Sequence, residues 1–135
     1  MGERAVILVV LAAVVLGGSL LARSMARRRA SGVLGQRLPT ELSRRLTGPG
    51  PSIVYFYGRH CADCRRQSLI LDRLAHDQGI VVTRIDAARE DSIAGALSVL
   101  TVPSTVVVDD ARRVWAINLG LRPGDMLLAQ LRDAA

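Results

Sequence analysis

Residues 5–22 read AVILVVLAAVVLGGSLLA, eighteen positions with no charge and a single hydroxyl. Such a run has few destinations. As a helix it is ~27 Å long at ~1.5 Å per residue, close to the hydrocarbon thickness of a bilayer. Eleven of the eighteen are Leu, Ile or Val. On the insertion scale they sum to about −3 to −6 kcal/mol, reduced somewhat by Gly17, Gly18 and Ser19. A cleaved signal peptide needs an apolar core of roughly 7–15 residues followed by a small-x-small site. Here the run is longer, and RSMARRR follows it. A core helix of a water-soluble domain needs a polar face, which this segment lacks. The expectation is a retained transmembrane helix over 5–22, after an N-terminal tip at 1–4. A basic juxtamembrane linker at 23–39 and one folded domain at 40–135 follow.

Charge gives the orientation. All 18 basic residues of the chain are arginine. Residues 1–39 hold six of them (Arg4, Arg23, Arg27, Arg28, Arg29 and Arg37) against Glu3 alone, a net +5. Residues 40–135 hold twelve against eleven acids, a net +1. Four arginines follow the apolar run, whereas Arg4 and the terminal amine precede it, offset by Glu3. The positive-inside rule then puts the C-terminal side in the cytoplasm. The expected location is a bacterial plasma membrane, with lipid contacted by residues 5–22 and by the Arg23–Arg29 flank. The body is nearly neutral. With only Tyr55, Phe56, Tyr57 and Trp115 as aromatics, no stacking platform interleaves with the arginines, and nucleic acid is not an expected partner.

Beyond the glycine- and proline-punctuated stretches SGVLGQRLP and TGPGP, with the short helical piece TELSRRL between them, the pattern alternates. SIVYFYG is a short apolar and β-branched run ended by Gly58, a buried strand. CADCRRQSLILDRLAHDQG reads as a helix, with Cys64, Ser68, Leu71, Leu74 and Ala75 on one face and Gly79 as its stop. IVVTRIDA reads as a second buried strand and REDSIAGALSVL as a helix with acids in its first turn. STVVVDD and RVWAINLG are strands joined at DDAR, and RPGDMLLAQLRDAA closes as an amphipathic helix. The order β-α-β-α-β-β-α predicts an α/β fold with a mixed sheet flanked by helices.

The chain's only two cysteines, in RHCADCRRQ, fall where a buried strand ends and a helix begins. Unpaired backbone N–H groups and the helix dipole there favour a thiolate on Cys61. Cys64 lies one turn on and can reach back, closing a loop too small to stabilise the fold much. Haem attachment needs C-x-x-C-H, and Arg65 stands in the histidine's place. Zinc needs four ligands; Cys61, Cys64 and His60 leave the set short, and His76 lies three turns away, so a second chain would be required. A redox couple and an idle thiol pair are the readings that remain, with no metal and no cofactor implied.

From Ser52 to its end the chain resembles a domain of the thioredoxin superfamily. The resemblance rests on IVYFYG, Cys61-x-x-Cys64, LILDRLA, VVTRID, TVPST and Gly120. It implies that Pro103 forms a cis peptide bond facing the sulfurs, with Val102, Ser104, Leu119, Gly120 and His60 lining a groove for an extended substrate segment. It also implies Cys61 as the attacking and Cys64 as the resolving cysteine, a protein disulfide as substrate, and a separate electron donor. The whole would be a membrane-anchored, thioredoxin-like thiol–disulfide oxidoreductase. A non-catalytic adaptor that uses the Pro103 groove is the alternative from another class. An extracytoplasmic redox protein like the tethered thioredoxins of cytochrome maturation is the alternative in location. The sequence departs from the family's pattern at three places. The usual Trp-Cys-Gly-Pro-Cys is His60-Cys61-Ala62-Asp63-Cys64, the buried carboxylate maps to Tyr55, and its lysine neighbour maps to Val82. Redox tuning then falls to Asp63, whose charge opposes a thiolate on Cys61, to Arg59 and its basic neighbours, which favour one, and to Tyr55.

Overall fold

The computed structural model describes residues 2–135, so the terminal amine of Met1 lies outside it. Helix α1 (Gly2–Ser31) is followed by α2 (Thr40–Arg45), β1 (Ser52–Tyr57), α3 (Ala62–Gln78), β2 (Val82–Asp86), α4 (Asp91–Ala96), β3 (Ser104–Val108), β4 (Val114–Leu119) and α5 (Gly124–Asp133). The sheet order is β2-β1-β3-β4. β1 and β2 are parallel, while β3 runs antiparallel to both β1 and β4. This is the expected mixed α/β sheet.

β1 is central, and its side chains alternate between two cores. Ile53 and Tyr55 pack with Leu71 and Leu74 of α3 and with Leu127 and Leu131 of α5. Val54 and Phe56 pack on the other face with Leu42, Ile93 and Leu97. All four β1 residues are essentially inaccessible, which is why this strand reads as a continuous apolar run.

Three expectations are corrected. IVVTRIDA is not a buried strand: β2 is an edge, with only Ile85 fully buried and Arg84 exposed, a charge that blunts further strand pairing. The helix expected over 89–100 is six residues long, because Ser98 takes a left-handed conformation (φ 55°) and turns the chain towards Pro103. Leu97 and Val99 reach the core from that turn. On α3 the buried seam is Cys64, Gln67, Leu71 and Leu74, with Gln67 where Ser68 was expected. Gly79 ends α3 as predicted, in the left-handed conformation (φ 65°), donating its N–H to the Ala75 carbonyl.

The N-terminal helix runs past residue 22 to Ser31. Its apolar window has a mean hydropathy of 2.8 and none of it is buried; the helix is long and apolar enough to cross a membrane. Ser19, its one hydroxyl in the run, donates to the Leu16 carbonyl at 2.8 Å, so no polar group is left unpaired there.

The segment expected as a linker is packed onto the body. Val33 and Leu38 are buried in the α2–α4 core. Gly35 N–H donates to the Val114 carbonyl at 2.7 Å, Val114 N–H to Gln36 at 2.9 Å and Leu38 N–H to Arg112 at 2.9 Å. Residues 35–38 thereby cover the start of the outer edge of β4, at Val114. A fragment of residues 40–135 loses this cover and the burial of two large side chains, about 3–6 kcal/mol. That is a large part of the total stability of a domain of this size. Urea unfolding of fragments 23–135 and 40–135 is expected to show the shorter one with a much lower midpoint; equal midpoints would show that the segment contributes nothing.

Candidate active site

The site grows from the end of β1. Gly58 follows that strand, and a Cβ built on it would lie 3.0 Å from Val102 Cγ2. Glycine is what lets the strand end press against the Val102–Pro103 pair, which is joined by a cis peptide bond. Arg59 and His60 are exposed in the turn. Cys61 then takes an extended conformation (φ −132°, ψ 107°) and caps α3, its Sγ accepting the Cys64 backbone N–H at 3.1 Å.

A sulfur in that position sits where the unpaired N–H groups and dipole of a helix stabilise negative charge. Cys61 and Cys64 are joined as a disulfide, with Cα atoms 5.2 Å apart. The two sulfurs are unequal: Cys61 is partly exposed, whereas Cys64 is only 4% exposed. An incoming group therefore meets Cys61 first.

Tyr55 lies beneath the pair. Its hydroxyl donates to the Cys64 carbonyl at 2.7 Å and makes no bond to sulfur. Across the sheet its partner is Arg84, not Val82, which pairs with Ile53. The Arg84 guanidinium stands 5.5 Å from the Tyr55 ring centroid and is held by Ser68 and Asp72. A cation on an aromatic face thus occupies the place expected for an acid–lysine pair. Burial pushes the Tyr55 phenol above its ordinary range, with Arg84 opposing.

The remaining predicted residues separate into those that face the groove and those that do not. Val102, Pro103, Leu119 and Gly120 line a cleft of about 780 Å³ that extends to Asp63, between the two cysteines in sequence, although neither cysteine lines it. Gly120 N–H donates to the Pro103 carbonyl at 2.8 Å, tying the two rims together, and Gly120 has φ 87°, a conformation that favours glycine. Ser104 lies elsewhere: it is fully buried, with its hydroxyl donated to the Thr101 carbonyl at 2.7 Å. Thr101 takes its place in the lining. His60 is exposed outside the cleft. Arg59 reaches the largely buried Asp86 carboxylate at 3.8 Å, and Asp63 has Arg66 at 3.9 Å in an exposed pair; both are long, loosely held contacts.

One positioning residue escaped the sequence. Gln67, fully buried on α3, accepts the Arg122 N–H at 2.7 Å and donates to the Arg122 carbonyl at 3.1 Å. This two-point clamp fixes the loop after Gly120 against the helix that carries the cysteines. Its sequence signal was a glutamine at i+3 from Cys64 on an apolar face.

The tyrosine arrangement sets an alkaline limit. A phenol raised by burial contributes stability that is present below the ordinary value of about 10 and lost as pH rises through the raised one. The chain has no lysine, so few other groups of the oxidised protein titrate there. Tyr55→Phe is expected to cost about 1 kcal/mol at pH 7 through the lost bond to Cys64, and that deficit should shrink or reverse near pH ~11. Guanidinium melts of both proteins at the two pH values check this; a deficit independent of pH would refute it.

Solved structures share this fold. A point-mutant thioredoxin from Halobacterium salinarum is 24% identical, with a TM-score of 0.64, covering 75% of this chain and 88% of its own. Thioredoxin-2 of the malaria parasite, named as a component of its protein secretion machinery, is 21% identical (TM-score 0.59, 65% and 86%). A structure on thiol resolution in the yeast mitochondrial 1-Cys peroxiredoxin is 16% identical (TM-score 0.61, 77% and 97%). No family model and no curated protein matches the sequence. At these identities the likeness is one of fold, and the body of this chain has the thioredoxin fold.

Proposed function

We propose that the protein is a membrane-tethered thiol–disulfide oxidoreductase. The observation that carries this reading is the partly exposed Cys61 sulfur at the N-terminus of α3, joined to the buried Cys64. In the reduced protein, Cys61 as thiolate attacks one sulfur of a substrate disulfide. The other substrate sulfur leaves as a thiolate and takes up a proton. Cys64, deprotonated, then attacks the Cys61 sulfur of the mixed disulfide, releasing the second substrate thiol and leaving Cys61–Cys64 oxidised. Two electrons pass from the pair to the substrate, and a separate dithiol reductant restores them.

The cleft beside Pro103 supports a role for Val102, Pro103 and Gly120 in presenting the substrate strand, since the half-buried Val102 and Gly120 flank the buried Pro103 in the lining that also holds Asp63. Gln67 and Tyr55 act as positioning residues for the loop and for the cysteine helix. Residues 5–22 anchor the protein in a plasma membrane, and Arg23, Arg27, Arg28 and Arg29 support placing the domain on the cytoplasmic side.

The full chain in detergent micelles, supplied with dithiothreitol, is expected to reduce insulin disulfides. Cys61→Ser should lower the rate to background, and Cys64→Ser should accumulate mixed disulfides with its substrates. Equal rates for the wild type and Cys61→Ser would instead favour an adaptor that binds partners in the groove.

A further inference from the structure

The part of α1 beyond the apolar run forms one wall of the cleft that extends to Asp63, between the two cysteines in sequence. Arg23 and Arg27, one helical turn apart, face Pro103 and Trp115 across it, and Arg122 lines the same space. Asp63, at the dithiol end, is the sole carboxylate in the lining. Among the described residues none of the three arginines is in an ion pair. The Arg122 Nε is buried with no hydrogen-bond partner, a donor whose solvation has been removed without replacement. Trp115 is nearly half exposed on the floor. Three cationic side chains around one apolar floor, next to a redox-active pair, form a site complementary to a peptide carrying carboxylates.

We propose that this cleft selects protein disulfides flanked by acidic residues, with Arg23, Arg27 and Arg122 as the specificity determinants. The proposal rests on the oxidoreductase reading and names its substrate class. Asp63 disfavours an acid immediately beside the attacked sulfur, so the substrate's carboxylates belong farther along the segment, past the Pro103 rim. A lipid headgroup is the competing occupant for Arg23, at the end of the apolar run. It does not explain Arg122, which belongs to the folded body, or the tryptophan floor.

The test uses the full chain in phosphatidylcholine nanodiscs and three disulfide peptides of one sequence with acidic, neutral or basic flanks. The acidic peptide is expected to have a kcat/KM roughly tenfold above the basic one, a ratio that falls as salt rises to ~0.5 M. Arg23→Glu combined with Arg27→Glu should reverse the order, and Arg27→Gln alone should narrow the gap. All three peptides reduced at one rate, or an order unchanged in both variants, overturns the selectivity and leaves the oxidoreductase standing. Failure to reduce any of the peptides sinks both. In nanodiscs containing phosphatidylglycerol the preference is expected to persist; its loss would show the arginines held by headgroups and overturn the proposal.

Discussion

Burial of β1 on both faces is the constraint from which the rest of the body follows. A strand whose Ile53, Val54, Tyr55 and Phe56 are all inaccessible must have a strand on either side and a helical layer above and below. β2 and β3 supply the first, and α3–α5 and α2–α4 the second. The same alternation that fills the cores also builds the site. Tyr55 points into the α3–α5 layer, and its hydroxyl reaches the carbonyl of Cys64. The first turn of the cysteine helix is therefore seated on a side chain of a strand buried on both faces. Gly58, one residue past the strand, then brings Val102 to within contact. A shift in β1 would move the sulfurs and the Pro103 rim together.

That coupling explains how a short loop can hold a geometry that chemistry requires. The dithiol hangs between two rigid attachments, Tyr55 below and the Gln67–Arg122 clamp alongside. Each is a hydrogen bond from or to the backbone, made in a setting with little water to compete. A polar group buried this way is costly unless paired, and both are paired at two or more atoms or to a backbone carbonyl. The cost of burial is offset only in the native arrangement, so these bonds specify position more than they add stability.

What the sequence disclosed and what it hid divide by range. The strand before Cys61, the helix after it and its stop at Gly79 are local patterns, and all were legible; the Pro103 turn came only from the family resemblance. The partner of Tyr55 was not legible: whether Arg84 or Val82 stands across from it depends on the β1–β2 register, which no residue within either strand announces on its own. The packing of Val33 and Leu38 was hidden for the same reason. A stretch rich in glycine and arginine looks like a linker until the uncovered edge of β4 is in view. Ser104 failed differently. It follows the proline in sequence, yet a strand starts there, and alternation turns its hydroxyl inward to Thr101.

The arginines after the apolar run show how helical geometry divides what composition lumps together. At 100° per residue, Arg27 lies about 40° from Arg23 around the helix, whereas Arg28 and Arg29 lie about 140° and 240° from it. One neighbouring surface cannot receive all four. The structure gives the first two to the cleft and leaves the last two outside its lining. Read as a count, the four residues orient a membrane span, and that use needs only their charge. Read on the helix, they become two sets: Arg28 and Arg29 outside the cleft lining, Arg23 and Arg27 within it. Because α1 is continuous from Gly2 to Ser31, the apolar run and the cleft wall belong to one helix. The cleft thus opens at the end of the apolar run, where that helix carries its wall.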